Sequence, residues 1–201
     1  MTVEVRDLGV REYTEVLAEM RAYTERRVEG RGDAIWLVEH PPVFTLGKAG
    51  SQAHVLAPGG IPVVRTDRGC QVTYDGPGQV VLYAMCELRR HRLNVRRLVC
   101  GLEESVIRYL CEHGVRGERR AGAPGVYVGG RKIAALGLRI RKGCSYHGLA
   151  LNVAMDLEPF RRIDPCGYPG LEVTQLRDFG VDDSVAQCGR RVAALCIECL
   201  T

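Results

Sequence analysis

Val126-Tyr127-Val128-Gly129-Gly130-Arg131-Lys132-Ile133-Ala134-Ala135-Leu136-Gly137-Leu138-Arg139-Ile140-Arg141-Lys142-Gly143-Cys144-Ser145-Tyr146-His147-Gly148-Leu149-Ala150-Leu151-Asn152-Val153 is a largely apolar run broken twice, at Gly129-Gly130 and at Lys142-Gly143. Two-residue breaks containing glycine between strand-like segments mark hairpins, because the turns that match the twist of paired strands need positive φ. The stretch therefore reads as three successive strands, 126–128, 132–140 and 145–153. Upstream, 34–39 and 43–46 form short strands divided by Pro41-Pro42. Residues 61–66, 71–74 and 80–86 add three more, separated by Arg68-Gly69-Cys70 and Gly76-Pro77-Gly78.

Three helices complete the pattern. Val10, Tyr13, Val16, Leu17, Met20 and Tyr23 recur at helical spacing, with Gly30 as a stop. A second helix runs from about 95 to 113, with Leu98, Leu102, Val106, Tyr109 and Leu110 on one face and Gly114 ending it. A third spans 184–200 behind Asp182-Asp183, acidic residues suited to a helix N-terminus. With no repeat, low-complexity tract or linker, the expectation is one α+β domain over 1–201, a mixed β-sheet flanked by helices.

A chain of 201 residues, 46% hydrophobic and 26% charged, has the composition of a globular domain. Met1-Thr2-Val3-Glu4-Val5-Arg6-Asp7 lacks the basic start and apolar core of a secretory signal. No stretch approaches the roughly 18 apolar residues of a membrane span. A cytoplasmic location and no membrane partner are expected. The nine cysteines are odd in number, and Cys86, Cys100, Cys111, Cys188 and Cys196 fall in strand or helix segments, which favours reduced packing thiols. The net charge of +4 rests on 25 arginines and only three lysines, Lys48, Lys132 and Lys142. Short clusters such as Arg89-Arg90-His91-Arg92 lack interleaved aromatics, so no nucleic-acid partner is expected and an acidic protein surface suits the balance. Where arginine does nearly all the cationic work, a lysine at the mouth of an apolar strand stands out, because it can lose its proton.

Three segments carry chemistry. Arg68-Gly69-Cys70-Gln71-Val72-Thr73-Tyr74-Asp75-Gly76-Pro77-Gly78-Gln79 is a glycine-rich wall that a ligand can approach closely, or a plain hairpin loop. It matches neither phosphate-loop nor dinucleotide-binding spacing. Lys132 taken alone reads first as a hairpin lysine reaching solvent. Cys166, in Asp164-Pro165-Cys166-Gly167-Tyr168-Pro169-Gly170, is the cysteine held on a tight turn, where a sulfur can meet a substrate. Lysine and cysteine together suggest a thiol nucleophile with a basic partner. Cys196-Ile197-Glu198-Cys199 has metal-ligand spacing but only Cys188 nearby, so a zinc module is a weak alternative and no metal is expected.

Taken together these segments resemble the lipoyl(octanoyl) transferases. The likeness runs through Gly32-Asp33, Glu39-His40-Pro41-Pro42-Val43-Phe44-Thr45-Leu46-Gly47, the 68–79 turn, Pro124-Gly125-Val126-Tyr127-Val128, Lys132-Ile133-Ala134, Gly137-Leu138-Arg139-Ile140, His147-Gly148-Leu149-Ala150-Leu151-Asn152 and Ile163-Asp164-Pro165-Cys166-Gly167. The resemblance implies the fold shared with the catalytic domains of biotin and lipoate protein ligases. It implies transfer of an octanoyl group from octanoyl-acyl carrier protein to a lysine ε-amine on lipoyl domains of 2-oxoacid dehydrogenase complexes and the glycine cleavage H protein. No cofactor is implied. Cys166 then corresponds to the acyl-thioester nucleophile and Lys132 to the partner that lowers its pKa. The substrate-binding segments correspond to Arg68, Gly69, Cys70, Gln71, Val72, Thr73, Tyr74 and Asp75, to Ala135, Leu136 and Gly137, and to Gly148, Leu149 and Ala150, the last three also offering backbone N–H groups for an oxyanion.

Two positions depart from the pattern. Cys70 stands where the resembled family has glycine, and Asp75 where it has histidine. A Cβ at position 70 is costly if the backbone there has positive φ. A carboxylate about 6 Å from a thiolate opposes its formation by roughly 3 kcal/mol at an effective dielectric near 20, and Asp75 is also a candidate to capture Lys132 as an ion pair. An impaired acyl-carrier-binding homologue and an ATP-dependent lipoate or biotin ligase are therefore the alternatives at this stage.

Overall fold

In β2 (Ala34–Glu39), Ile35 and Leu37 pack into one core while Ala34, Trp36 and Val38 pack into another. The neighbouring β6 (Gln79–Met85) repeats the division, with Val80, Leu82 and Ala84 on one side and Val81, Tyr83 and Met85 on the other. Apolar residues at both parities of a two-residue period require a sheet covered on both faces. Helices α2 (Val95–Glu112) and α3 (Val185–Leu200) cover one face, and α1 (Tyr13–Arg27) lies on the other. The structure is a computed structural model and describes residues 3–27 and 32–200; Gly30, read above as a helix stop, lies outside them.

The sheet has seven strands in the order β1 (Glu4–Val10), β2, β6, β10 (Cys144–Asn152), β9 (Arg131–Arg141), β8 (Gly125–Val128), β7 (Glu118–Arg119). β1 runs parallel to β2 and the other pairs are antiparallel, so the sheet is mixed. A second sheet of three strands, β4 (Val63–Arg65), β3 (Val43–Leu46) and β5 (Val72–Asp75), closes a small core with Phe44, Leu46, Val72, Tyr74, Met155, Phe160 and Ile163. Both expected hairpin turns form with two consecutive positive φ values, 56° and 78° at Gly129-Gly130 and 50° and 79° at Lys142-Gly143.

β1 was not expected. Val10 belongs to this edge strand and is 64% exposed, and the helix begins only at Tyr13. Most of the strand's side chains face solvent, so it carries no buried alternation for a sequence pattern to reveal. The second helix is as read, capped by Asn94, whose side chain accepts from the Arg97 N–H at 2.9 Å. Against it, α3 approaches closely where a Cβ on Gly101 would come within 2.6 Å of Leu200 Cδ2.

Candidate active site

Lys132 sits beside an irregularity. Along β8 and β9 the register runs Gly125↔Ala135, Val126↔Ala134, then Tyr127↔Lys132, so Ile133 is an extra residue on the β9 side. Such a bulge re-aims the side chains around it. The Lys132 backbone is gripped from the other side, donating to the Glu172 carbonyl and accepting from the Thr174 N–H, each at 2.9 Å. Its buried Nζ donates to the Pro124 carbonyl at 3.2 Å and lies 3.2 Å from Cys166 Sγ. Cys166 occupies a single helical turn, Pro165–Gly167, with φ 56° and ψ 18°. That turn is tied down by a Gly167 N–H bond to the Asp164 carbonyl at 2.9 Å and by contact of the Asp164 carboxylate with His54 Nδ1 at 3.0 Å.

The thiol is poised to ionise. A hydrogen bond from the Cys70 side chain is the largest influence on Cys166. Burial works against the anion, and the charges of Lys132 and Arg68 favour it, so the Cys166 pKa falls to about 5. Cys70, the donor, is pushed far up for the complementary reason. Burial pulls the Lys132 pKa down, but the Cys166 anion and Tyr127 outweigh it and the net shift is upward. The ammonium also lies 5.3 Å from the centre of the Tyr127 ring. The resting site therefore pairs a Cys166 biased toward its thiolate with a Lys132 biased toward its ammonium.

A cleft with about 430 Å³ of empty space, part of it open to solvent, runs from the sulfur into the molecule. Arg68, Cys70, Thr73, Asp75, Ala135, Leu136, Gly137, Gly148, Leu149 and Ala150 line it, together with Tyr13, Val81, Tyr83, His147 and Cys166. A second, more apolar cavity of about 840 Å³ shares Cys70, Leu136, Gly137 and Cys166, and adds Gly69, Gln71 and Lys132 with walls that include Val95, Val99, Pro124 and Leu138. Cys166 thus lies between two spaces. Gly137 lets the 68–71 turn lie flat on β9, since a Cβ there would meet the Gly69 carbonyl oxygen at 3.0 Å.

Three expectations need correction. Val72 and Tyr74 do not line the cleft; in β5 alternation turns Thr73 and Asp75 inward and sends Val72 and Tyr74 into the core under the small sheet. The Gly148–Ala150 backbone is not free to hold an oxyanion, because β10 pairs there with β6 on one side and β9 on the other. Asp75 does not take Lys132. Its carboxylate accepts from Thr45 Oγ1 at 3.2 Å, the same hydroxyl to which Arg68 Nη2 donates at 2.9 Å. Burial raises the Asp75 pKa, against the pull of His40, Arg68, Thr45 and His147, so its charged form is less favoured than that of a solvated carboxylate.

Around Asp75 stands a polar network that sequence reasoning did not single out. His40 is fully buried, and burial lowers its pKa. Its neutral ring donates from Nδ1 to the Arg11 carbonyl at 2.6 Å and accepts at Nε2 from Tyr83 Oη at 2.8 Å. His147, at φ 62°, donates to the Asp67 carboxylate at 2.9 Å, and Tyr146 Oη adds a bond at 2.7 Å. Burial opposes the Asp67 anion, yet these bonds hold its pKa below the usual carboxylate range. The one signal for this network was histidine beside or inside an otherwise apolar strand segment, His40 just after 34–39 and His147 within 145–153. Cys70, expected as a substrate-binding position whose Cβ would intrude, does sit at φ 77° and lines the cleft together with Cys166.

The fold is the one shared by the catalytic domains of lipoate and biotin protein ligases. The whole chain superposes on a lipoate-protein ligase A solved with ATP, covering 86% of it with a TM-score of 0.80 at 16% identity. It also superposes on a biotin protein ligase from Aquifex aeolicus, covering 70% of it with a TM-score of 0.59 at 14% identity. A family model, the lipoyl protein ligase A/B catalytic domain, matches residues 12–195. An octanoyltransferase from Alkalilimnicola ehrlichii is 56% identical over 198 residues, 98% of this chain and 92% of that one. Another, from Klebsiella pneumoniae, is 58% identical over 175 residues, 87% and 82% of the two chains. The chain belongs to the octanoyltransferase family and is an acyltransferase.

Proposed function

We propose that the protein moves an octanoyl group from octanoyl-acyl carrier protein to a lysine ε-amine on lipoyl domains in lipoate biosynthesis, through a thioester on Cys166. The supporting observation is the 3.2 Å approach of Lys132 Nζ to Cys166 Sγ at the mouth of the cleft. Acceptors would be the lipoyl domains of 2-oxoacid dehydrogenase complexes and the glycine cleavage H protein.

The thiolate attacks the carrier thioester, and the phosphopantetheine sulfur leaves with a proton from the Lys132 ammonium. Thioester exchange is near balanced and needs no ATP. Acylation removes the anion that had been holding Lys132 protonated, and burial then favours its neutral amine. The incoming lysine amine attacks the acyl carbon, Lys132 takes its proton, and Cys166 departs as the thiolate. The cycle ends with the ion pair it began with, and the two half-reactions together balance. The octanoyl chain lies in the cleft along Ala135, Leu136, Leu149 and Ala150.

Incubation with octanoyl-carrier protein tests this by intact mass. One octanoyl group released by hydroxylamine is expected on the parent protein and none on Cys166→Ala, whose transfer should fall by roughly 10³-fold or more. An adduct persisting on Cys166→Ala, or octanoyl-AMP formed from free octanoate and ATP, would instead support the ligase alternative.

A further inference from the structure

Two thiols meet in the cleft, and acyl transfer forms a bond to only one of them. Cys70 and Cys166 line both cavities together, and each strongly shifts the ionisation of the other. The turns that carry them are in contact, since a Cβ on Gly167 would come within 2.9 Å of Gln71 Cγ. Both cysteines have left-handed backbones, φ 77° and 56°, a conformation that is strained for a residue other than glycine. Strained residues cluster at functional sites, and here both strained residues bring a sulfur to the same cleft. Both are part-exposed, so a small solute reaches them, whereas Cys86, Cys144, Cys188 and Cys196 are buried.

We propose that Cys70 and Cys166 form a reversible dithiol–disulfide site, oxidised by a hydroperoxide and restored by a dithiol reductant. The Cys166 thiolate attacks a peroxide oxygen; an S–O bond forms, the O–O bond breaks, and the departing hydroxide takes up a proton to become water. Cys166 is now a sulfenic acid, its sulfur having given two electrons to the peroxide. The anion that had kept Cys70 protonated is gone. Cys70 loses its proton and attacks the sulfenic sulfur, the S–S bond forms, the S–O bond breaks, and hydroxide leaves with that proton as a second water. Two thiols and one hydrogen peroxide thus give one disulfide and two waters. Thiol–disulfide exchange reverses the step. While oxidised, the site has no thiolate to accept an acyl group, and Cys166 is shielded from irreversible oxidation to the sulfinic acid.

The test uses the full chain, hydrogen peroxide and no acyl donor. Intact mass should fall by two hydrogens, unreduced peptide maps should join the Cys70 and Cys166 peptides, and dithiothreitol should undo both. Cys70→Ser should form no such link and should instead accumulate two oxygens on Cys166 that dithiothreitol does not remove. Cys70→Gly, which suits φ 77°, gives the same readout if the serine variant folds poorly. Disulfides found only between other cysteines, a parent Cys166 that goes directly to sulfinic acid, or variants no more prone to irreversible oxidation than the parent would overturn the proposal. The readout needs no octanoyl group. A protein that forms the link but takes no acyl chain would therefore sink the proposed function and leave this one standing.

Discussion

The two ends of the cleft handle charge in opposite ways. At the outer end, Cys166, Lys132 and Cys70 are bonded largely to one another, so a change in one protonation state shifts the other two. At the inner end each polar group has a fixed partner. Arg68 donates to the carbonyls of Thr45, Gly69 and Gln71, Asp75 accepts from Thr45, His40 bridges the Arg11 carbonyl and Tyr83, and His147 holds Asp67. The outer end is built to change state during a reaction; the inner end holds the shape of the cleft while that happens. Burial alone does not separate them, since Lys132 and Asp75 are both almost inaccessible, 3% and 5% exposed. What separates them is whether the proposed reaction would change the protonation of a group's partner.

The largest break of this contrast should come at Lys132. Arginine keeps the positive charge but cannot give up its proton. Lys132→Arg should form the acyl-enzyme more slowly, because the leaving phosphopantetheine sulfur must take its proton from solvent, while transfer to the acceptor amine slows more, by roughly 10²–10⁴-fold. Rapid-quench measurement of the two half-reactions reads this split. Equal loss in both would mean that Lys132 only supports the thiolate.

Next in size is the influence of Cys70. Alkylation of Cys166 by iodoacetamide follows its thiolate, so the parent rate should stay flat as pH falls to about 5 and drop below it. Cys70→Gly removes the hydrogen bond, and the midpoint should rise toward the ordinary thiol range. The same change relaxes φ 77° and should raise the thermal midpoint. An unmoved alkylation profile would show that Lys132 and Arg68 suffice to hold the anion.

These contrasts also explain what could be read from the chain beforehand. The meander 126–153 announced itself because both of its turns need positive φ and show it in glycine, and the second and third helices because each buries one periodic face. β1 was silent because its side chains mostly face solvent. Cys166 and Lys132 were visible as oddities, a cysteine on a turn and a lysine entering an apolar strand. Their partnership was read from the residue types and the resemblance, not from any spacing, because Lys132 reaches the sulfur through a bulge at Ile133 that no local pattern encodes. The inner network was invisible for a related reason. His40, Asp67 and His147 are joined only by tertiary hydrogen bonds, and the bond between Asp67 and His147 spans 80 positions.

Asp67 tests whether the inner end is a scaffold. Its folded pKa lies below its unfolded one, so its contribution to stability is present above the usual carboxylate range and is lost as pH falls toward the folded value. Asp67→Asn should cost about 1–3 kcal/mol at neutral pH by weakening the bonds from His147 and Tyr146. It should also flatten the acid limb of the stability curve while leaving Cys166 alkylation unchanged. A shift in the alkylation profile instead would mean that the two ends are electrostatically coupled.

The smallest effect is expected at Asp75, although this substitution looked most damaging in the sequence. A full carboxylate charge near the sulfur would suppress the thiolate, and removing it would speed acyl-enzyme formation by orders of magnitude. Yet Asp75 is held by Thr45, faces Arg68, and is pushed by burial toward its neutral form, while the Lys132 ammonium bonds Cys166 and Pro124. Asp75→Asn keeps the shape and an acceptor for Thr45 while deleting the charge. Acyl-enzyme formation near neutral pH should change by no more than a few-fold, because burial already disfavours the charge that the substitution deletes. A rise of more than about tenfold, equivalent to about 1.4 kcal/mol, would show that this carboxylate does reach the thiolate and that the two ends of the cleft are not separate.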